Sequence, residues 1–292
     1  MPRLSQFFPP GPPLGTPGDP GLFGPGSAAW RIGRERLLLA GGPAALLLQV
    51  AHPLVGAGVA EHSDFRSDPL RRLRGTLDAT MTVSFGDHEQ VQHAVAAVAH
   101  RHRTVVGRLA NDTRAIPAGT SYRANDPDLA LWVFATLIWT AVRVHETFLG
   151  PLPPDERDAY YADMHEFGRL FGVDEADMPA GFAGLDSYLH RMTAEVLDVG
   201  PVARRLAGQI LAPQPPLVPA PLRPLPAVLA AGLLPPAVRD AFGLPWRRRE
   251  QLLFRSMALT TRALVPALPA PVRYWPHYRI ARRRVRALSR PT

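Results

Sequence analysis

The sequence predicts an all-α fold, a single multi-helix globular bundle, on three observations. Apolar residues recur with the 3.6-residue period of a helix and almost nowhere alternate as a half-buried strand requires. Proline follows a capping position at Asp68-Pro69, Asp126-Pro127 and Pro153-Pro154, the last with Asp155 and Glu156 in its first turn, which is how helices begin. Hydrophobic residues make up 46% of the 292 positions, enough to bury a substantial core.

Residues 1–27 read as a Pro/Gly-rich N-terminal arm, coil from Pro9 to Gly26, and residues 28–292 as one helical domain. Helices are expected from Ala28 to Leu39 and from Pro43 to about Ala60. The stretch from Leu37 to Ala60 carries no Asp, Glu or Arg and is long enough to span a bilayer. Gly41-Gly42-Pro43 interrupts it, however, and Gln49, His52 and Pro53 suit lipid poorly, so a buried core helix is the expectation. Further helices are expected over Pro69 to Ser84, Asp87 to Leu109, Pro127 to Phe148, Pro154 to Phe171, Phe182 to Leu197 and Pro201 to Leu211, with a turn or small hairpin between Ile116 and Tyr122. The proline-rich stretch 213–226 predicts an extended crossing. Two or three helices follow, whose Leu233-Leu234, Trp246, Leu252-Leu253-Phe254, Leu259, Trp275 and Tyr278 are expected to pack back on the main body.

Composition removes several chemistries. Cysteine is absent, which excludes disulfides, thiolate-ligated or thioether-linked haem, iron–sulfur clusters and cysteine zinc sites. All 33 basic residues are arginine, so Schiff-base chemistry and a P-loop lysine are excluded too. No Glu-x-x-His, His-Glu-x-x-His, Gly-x-Gly-x-x-Gly or Gly-x-Ser-x-Gly occurs, which disfavours di-iron, zinc-protease, dinucleotide and serine-hydrolase readings. The N-terminus lacks the pattern of a signal peptide, and a cytoplasmic chain is expected. Much of the net charge of +8 lies at the C-terminus, in Arg247-Arg248-Arg249 and in Arg279, Arg282, Arg283, Arg284, Arg286 and Arg290. A solvated terminal helix is the plain reading, with peripheral contact to an anionic membrane as the alternative. Nucleic acid is not expected, because no aromatic residues interleave the arginines.

The ten histidines are sorted by helix face. His102 follows Val91, Val95 and Val98 and precedes Val105, Val106 and Leu109, an apolar stripe, whereas His100 lines up with polar neighbours. A lone histidine on such a face serves either as a hydrogen-bonded core residue or as the ligand of a group such as a haem, and the pattern leaves both open. On the preceding helix Arg72 and Thr76 share a face with Thr80, beside Leu73 and Leu77. That stripe suits haem propionates or an ordinary amphipathic boundary equally. His52 and His145 also have apolar neighbours at helical spacing, as distal or second-shell groups or as core residues.

Taken together, Pro17-Gly18-Asp19-Pro20-Gly21, Trp30-Arg31, the run from Gly41 to Pro53, His62-Ser63-Asp64-Phe65, Arg72-Leu73-Arg74-Gly75-Thr76, His102-Arg103-Thr104-Val105-Val106-Gly107, Tyr122, Asp126-Pro127 and Leu131-Trp132-Val133 resemble the MpaB-like and latex-clearing (rubber oxygenase) haem proteins. The resemblance implies a helical fold and non-covalent haem b, with His102 as the iron's proximal ligand and Arg72 and Thr76 close to the haem. It further implies an oxygenase using dioxygen on an apolar, unsaturated isoprenoid or lipid-like substrate, with a haem-binding protein without turnover as the alternative. Two positions depart from the family. Gly75 stands where rubber oxygenases carry a lysine able to occupy the distal side of the iron, and Phe134 stands where nearer relatives place a histidine. The resemblance therefore implies altered distal coordination and, at Phe134, either a closed distal pocket or a changed substrate.

Overall fold

The computed structural model describes residues 9–62, 69–212 and 223–287, with the side chains of 69–74 outside that description. It is helical throughout except for one two-stranded antiparallel ribbon among the described residues. The first helix is shorter than expected: α1 (Ala28–Gly33) is capped by Ser27, whose side chain accepts from the Trp30 amide, and gives way to a 3-10 turn over Arg36–Gly41. The break falls at Glu35. Its backbone is extended (φ −76°, ψ 116°) and its buried carboxylate receives a two-pronged contact from Arg273, at 2.8 Å from Nε and 2.8 Å from Nη2.

The core helix expected from Pro43 to Ala60 is two helices, α2 (Gly42–Ala51) and α3 (Pro53–His62). Pro53 is the cause. It has no N–H to continue α2, and its ring pushes the preceding residue out of the helical region, so His52 is extended at φ −74°, ψ 122°. Proline then serves as the first residue of α3, which begins with the Gly56 amide donating to the His52 carbonyl at 2.8 Å. The chain folds back so tightly that a Cβ on Gly56 would lie 2.6 Å from the Val50 carbonyl oxygen, and only glycine fits.

Next come α4 (Pro69–Phe85) and α5 (His88–His102), antiparallel neighbours joined by a tight turn. Asp87 begins α5 with a reciprocal capping box, its side chain accepting from the Gln90 amide and its own amide donating to the Gln90 side chain. α5 ends seven residues before the expected Leu109. Thr104-Val105-Val106, β-branched and followed by Gly107, leave the helix and form β1 (Val106–Arg108), paired with β2 (Ser121–Arg123) so that Gly107 stands opposite Tyr122. The hairpin expected near Ile116 is thus the outer part of a ribbon whose first strand had been assigned to a helix.

α6 (Pro127–Phe148) is the central helix, followed by α7 (Pro154–Leu170), α8 (Gly181–Glu195) and α9 (Pro201–Leu211). Asp126 caps α6 by accepting from the Asp128 amide. α2 packs on α6, α9 and the later helix Leu225–Leu233, and α6 on α7, α8 and the later helix Arg248–Leu264. Trp132, Leu47, Leu48, Ile138, Tyr161 and Leu185 are wholly enclosed; each aliphatic side chain so buried contributes about 1.5–3 kcal/mol. α6 is long and apolar enough to cross a membrane, but 61% of that window is buried inside the protein.

Most of the proline-rich crossing, residues 213–222, lies outside the described residues; its last residues already belong to α10 (Leu225–Leu233) and the turn before it. α11 (Pro236–Ala241), α12 (Arg248–Leu264), α13 (Ala270–Arg273) and α14 (Pro276–Arg286) complete the chain. They pack back on the body through Leu233, Leu234, Trp275 and Tyr278, all buried. Leu252 and Leu259 do not, being 55% and 68% exposed, because α12 touches the core along one side only, through Phe254, Met257 and Ala258. The plain reading of the terminal arginines also needs correction. Arg284 is wholly buried and donates from Nε to the Asp19 carbonyl (2.6 Å) and from Nη2 to the Phe85 carbonyl (2.9 Å), so α14 is locked to α4 and to the N-terminal arm. The arm is held at the same place by the Thr16 amide on Asp87 (2.7 Å) and by Asp19 on His88 (2.6 Å).

Candidate functional site

The ends of α3 and α5 and the β-ribbon meet at one surface. His62, at the last position of α3, places Nε2 3.0 Å from the Val106 carbonyl, and the Val105 amide donates to the His102 carbonyl at 3.1 Å. The buried Tyr122 donates from its hydroxyl to Glu61 Oε2 at 2.5 Å and lies edge-on to the His62 ring, centroids 6.5 Å apart. Burial and the Glu61 carboxylate both push the Tyr122 hydroxyl well above its ordinary pKa, so it remains a donor across the physiological range. This carboxylate–tyrosine pair escaped the histidine-based search. The signal was present in Glu61-His62 and Tyr122, but their sequence separation hides the contact.

His102 is the final residue of α5 and is exposed, not enclosed in the apolar stripe the sequence suggested. Val105, Val106 and Leu109 lie beyond the helix end and do not share its face. Of the remaining stripe Val91 is buried, and Val95 and Val98 are half-covered. The protein on the inner side of the imidazole, and then the charge of Arg101, lower its pKa, which favours the neutral ring a metal requires.

Counted from the turn between the helices, Arg72 on α4 and His102 on α5 each stand roughly 20 Å along their helix and are therefore level. The Arg72 side chain lies outside the described residues. Thr76 is exposed, its carbonyl accepting from the Thr80 hydroxyl at 2.9 Å. A Cβ added at Gly75 would meet nothing within 4 Å, so this stretch of α4 borders open space.

His52 is 5% exposed, beside Trp132 with ring centroids 6.3 Å apart. His52 Nδ1 and Trp132 Nε1 are both buried without a hydrogen-bond partner. Burial pushes the His52 pKa down to about 4 against a small opposing pull from Asp126, so the ring stays neutral. His145 is elsewhere: its Nδ1 faces the Gly150 carbonyl (3.2 Å) at the C-terminal end of α6, about 20 Å along that helix from Trp132. Phe134 also points away, packing on Tyr161 (centroids 6.2 Å) and against Gly168 of α7, so the ring at that position fills the α6–α7 interface. Two surface concavities lie apart from these residues, one of 320 Å³ lined by Arg114, Asp198 and Arg204, the other of 350 Å³ lined by Trp139, Arg157 and Asp186. Among the described residues no group of three or more His, Asp or Glu side chains could hold a metal ion.

The all-α body carries His102 at the exposed end of the α4–α5 hairpin and the Glu61–Tyr122 pair where α3 meets the β-ribbon. The chain belongs to the family described as ER-bound oxygenase mpaB/B'/rubber oxygenase, catalytic domain, which it matches over residues 30–263. It is also 31% identical over 223 residues to an uncharacterised protein of Mycobacterium bovis and, equally, to one of Mycobacterium tuberculosis, an alignment covering 73% of this chain and 83% of each relative. No solved structure matches the chain.

Proposed function

We propose that this protein is a haem b-dependent oxygenase acting with dioxygen on an apolar, unsaturated isoprenoid or lipid-like substrate. The observation that carries the reading is the position of His102: a neutral imidazole at the open end of a half-covered apolar helix face, level with Arg72 and on the hairpin that carries Gly75 and Thr76. The donor set suits the group, since haem iron needs one protein ligand and the apolar macrocycle needs an uncovered apolar face. Val95 and Val98 offer that face, His102 would hold the iron, and Arg72 and Thr76 would meet the propionates.

When bound, the haem supplies dioxygen activation; the chain supplies position, polarity and a proton path. Glu61, held by the Tyr122 hydroxyl, would offer a carboxylate acceptor on the surface where α3 meets the β-ribbon. His52, neutral and with an unpartnered Nδ1, would give or take one hydrogen bond in the core beside Trp132. Gly75 adds no side chain to the α4 surface, so that position supplies no competing ligand.

Purification with haem supplied should give a Soret band and a b-type pyridine haemochrome. His102→Ala should lose both, while His145→Ala, whose ring faces the Gly150 carbonyl at the end of α6, should keep them. A colourless wild-type protein would sink the reading, and so would an unchanged spectrum in His102→Ala. Oxygen uptake with isoprenoid or unsaturated fatty substrates then separates an oxygenase from a haem binder.

A further inference from the structure

Six of the nine large hydrophobic residues left exposed among the described residues fall between 252 and 272, which makes them a patch rather than scatter. On α12, Phe254 turns inward against Phe148 and Trp246, at 5.6 Å from each ring. On the opposite side Leu252, Leu259 and Leu264 are 55%, 68% and 59% exposed, and Leu268 and Val272 continue the apolar surface into α13. Leu252, Leu259 and Ala263 recur at helical spacing along the crest. Arg248, Arg255 and Arg262, each seven residues from the next, form a line along its edge.

The charge along this segment is almost all of one sign. From Pro245 to Ala287 there are eleven arginines and a single acid, Glu250, which is turned to the helix start, where it accepts from the Arg247 amide at 2.9 Å. Arg262 donates to the carbonyls of Glu146 and Thr147 at the end of α6. Arg248, Arg249 and Arg255 remain exposed beside the leucines. An apolar crest with a basic edge suits a surface of apolar chains beneath phosphates. A second copy suits it less, because a two-fold contact through this face would press arginines together with no carboxylates between them.

We propose that the exposed face of α12 and α13 docks on an anionic phospholipid bilayer, with Leu252, Leu259 and Leu264 entering the interface and Arg248, Arg249 and Arg255 meeting the headgroup phosphates. The terminal arginine helix is not the anchor: Arg284 is buried in the fold, and α14 is held to α4. The inference stands apart from the haem reading and does not depend on it.

Sedimentation of the full-length protein with vesicles tests it. Binding is expected to vesicles of phosphatidylcholine with phosphatidylglycerol and not to phosphatidylcholine alone, and should weaken with salt. The double variant Leu252→Ser, Leu259→Ser and the triple variant Arg248→Gln, Arg249→Gln, Arg255→Gln should each bind about tenfold or more weakly while melting like wild type, since all five side chains are exposed. The variant Arg283→Gln, Arg286→Gln, which neutralises exposed charges of α14, should bind as wild type. The proposal is overturned by absent binding to anionic vesicles, by unchanged binding in both α12 variants, or by loss of binding in Arg283→Gln, Arg286→Gln. It is equally overturned if the lipid-free protein is a dimer that Leu259→Ser dissociates.

Discussion

α6 and α5 start alike and end in different places. Each begins on an aspartate cap and carries apolar residues at helical spacing, yet α6 buries twelve of its 22 residues whereas α5 buries Val91 alone of 15. α6 is wrapped by α2, α7, α8 and α12, while the close packing of α5 is with α4. The contrast teaches that an apolar stripe states a demand for cover without stating what supplies it. Around α6 other helices supply it. Along α5 half the stripe stays uncovered, and His102, the proposed ligand, stands at its end.

The sharpest way to break that comparison is to cut equivalent holes in the two regions. Trp132→Ala, within the α6 core, should lower the free energy of unfolding by about 3–5 kcal/mol, read from urea midpoints. Equal losses from Trp132→Ala and from a truncation on α5 would end the distinction.

A second probe uses pH. The folded His52 titrates near 4 and its unfolded counterpart near 6.5, so above pH 6.5 both are neutral and the stability is present in full. As pH falls from 6.5 to 4 the unfolded chain takes up a proton that the folded core refuses, and at most about 3 kcal/mol is lost. His52→Gln should remove that slope from the stability profile; an unaltered slope would place the acid sensitivity elsewhere.

The α5 side should answer more weakly. Asp87→Ala removes the capping box and the Thr16 contact, and a loss of about 1–2 kcal/mol is expected in thermal melts. Val98→Ala trims a half-covered side chain, and about 1 kcal/mol or less should follow. If haem covers that face, the Val98→Ala loss should grow once the protein is reconstituted, and an identical loss with and without haem would separate Val98 from the cofactor.

Helix starts were the most legible part of the sequence, because a cap and a following proline act within one turn. The starts at Pro127, Pro154 and Pro201 fall where the sequence placed them. Helix ends were less legible, as at His102, where a β-branched run competes with the helix only because Ser121–Arg123 is present to pair with it. His52 was legible as a buried histidine but not as the hinge between two helices, although Pro53 stood next to it. The Glu61–Tyr122 pair was not legible, since its members lie on a helix and a strand brought together by the fold.

What the sequence determined by itself was local or compositional: an all-α chain, its capped helix starts, the absence of cysteine and lysine chemistry, and a short list of histidines with apolar neighbours. Periodicity and capping act over a few residues, so they can be read without a partner. Tertiary structure alone decided which stripes found cover. It enclosed His52, left His102 at an exposed helix end, set His145 against the Gly150 carbonyl, turned Phe134 into the α6–α7 interface, buried Arg284 and left the leucines of α12 in solvent. Burial depends on the element packed opposite, and no residue's own neighbours in sequence specify that.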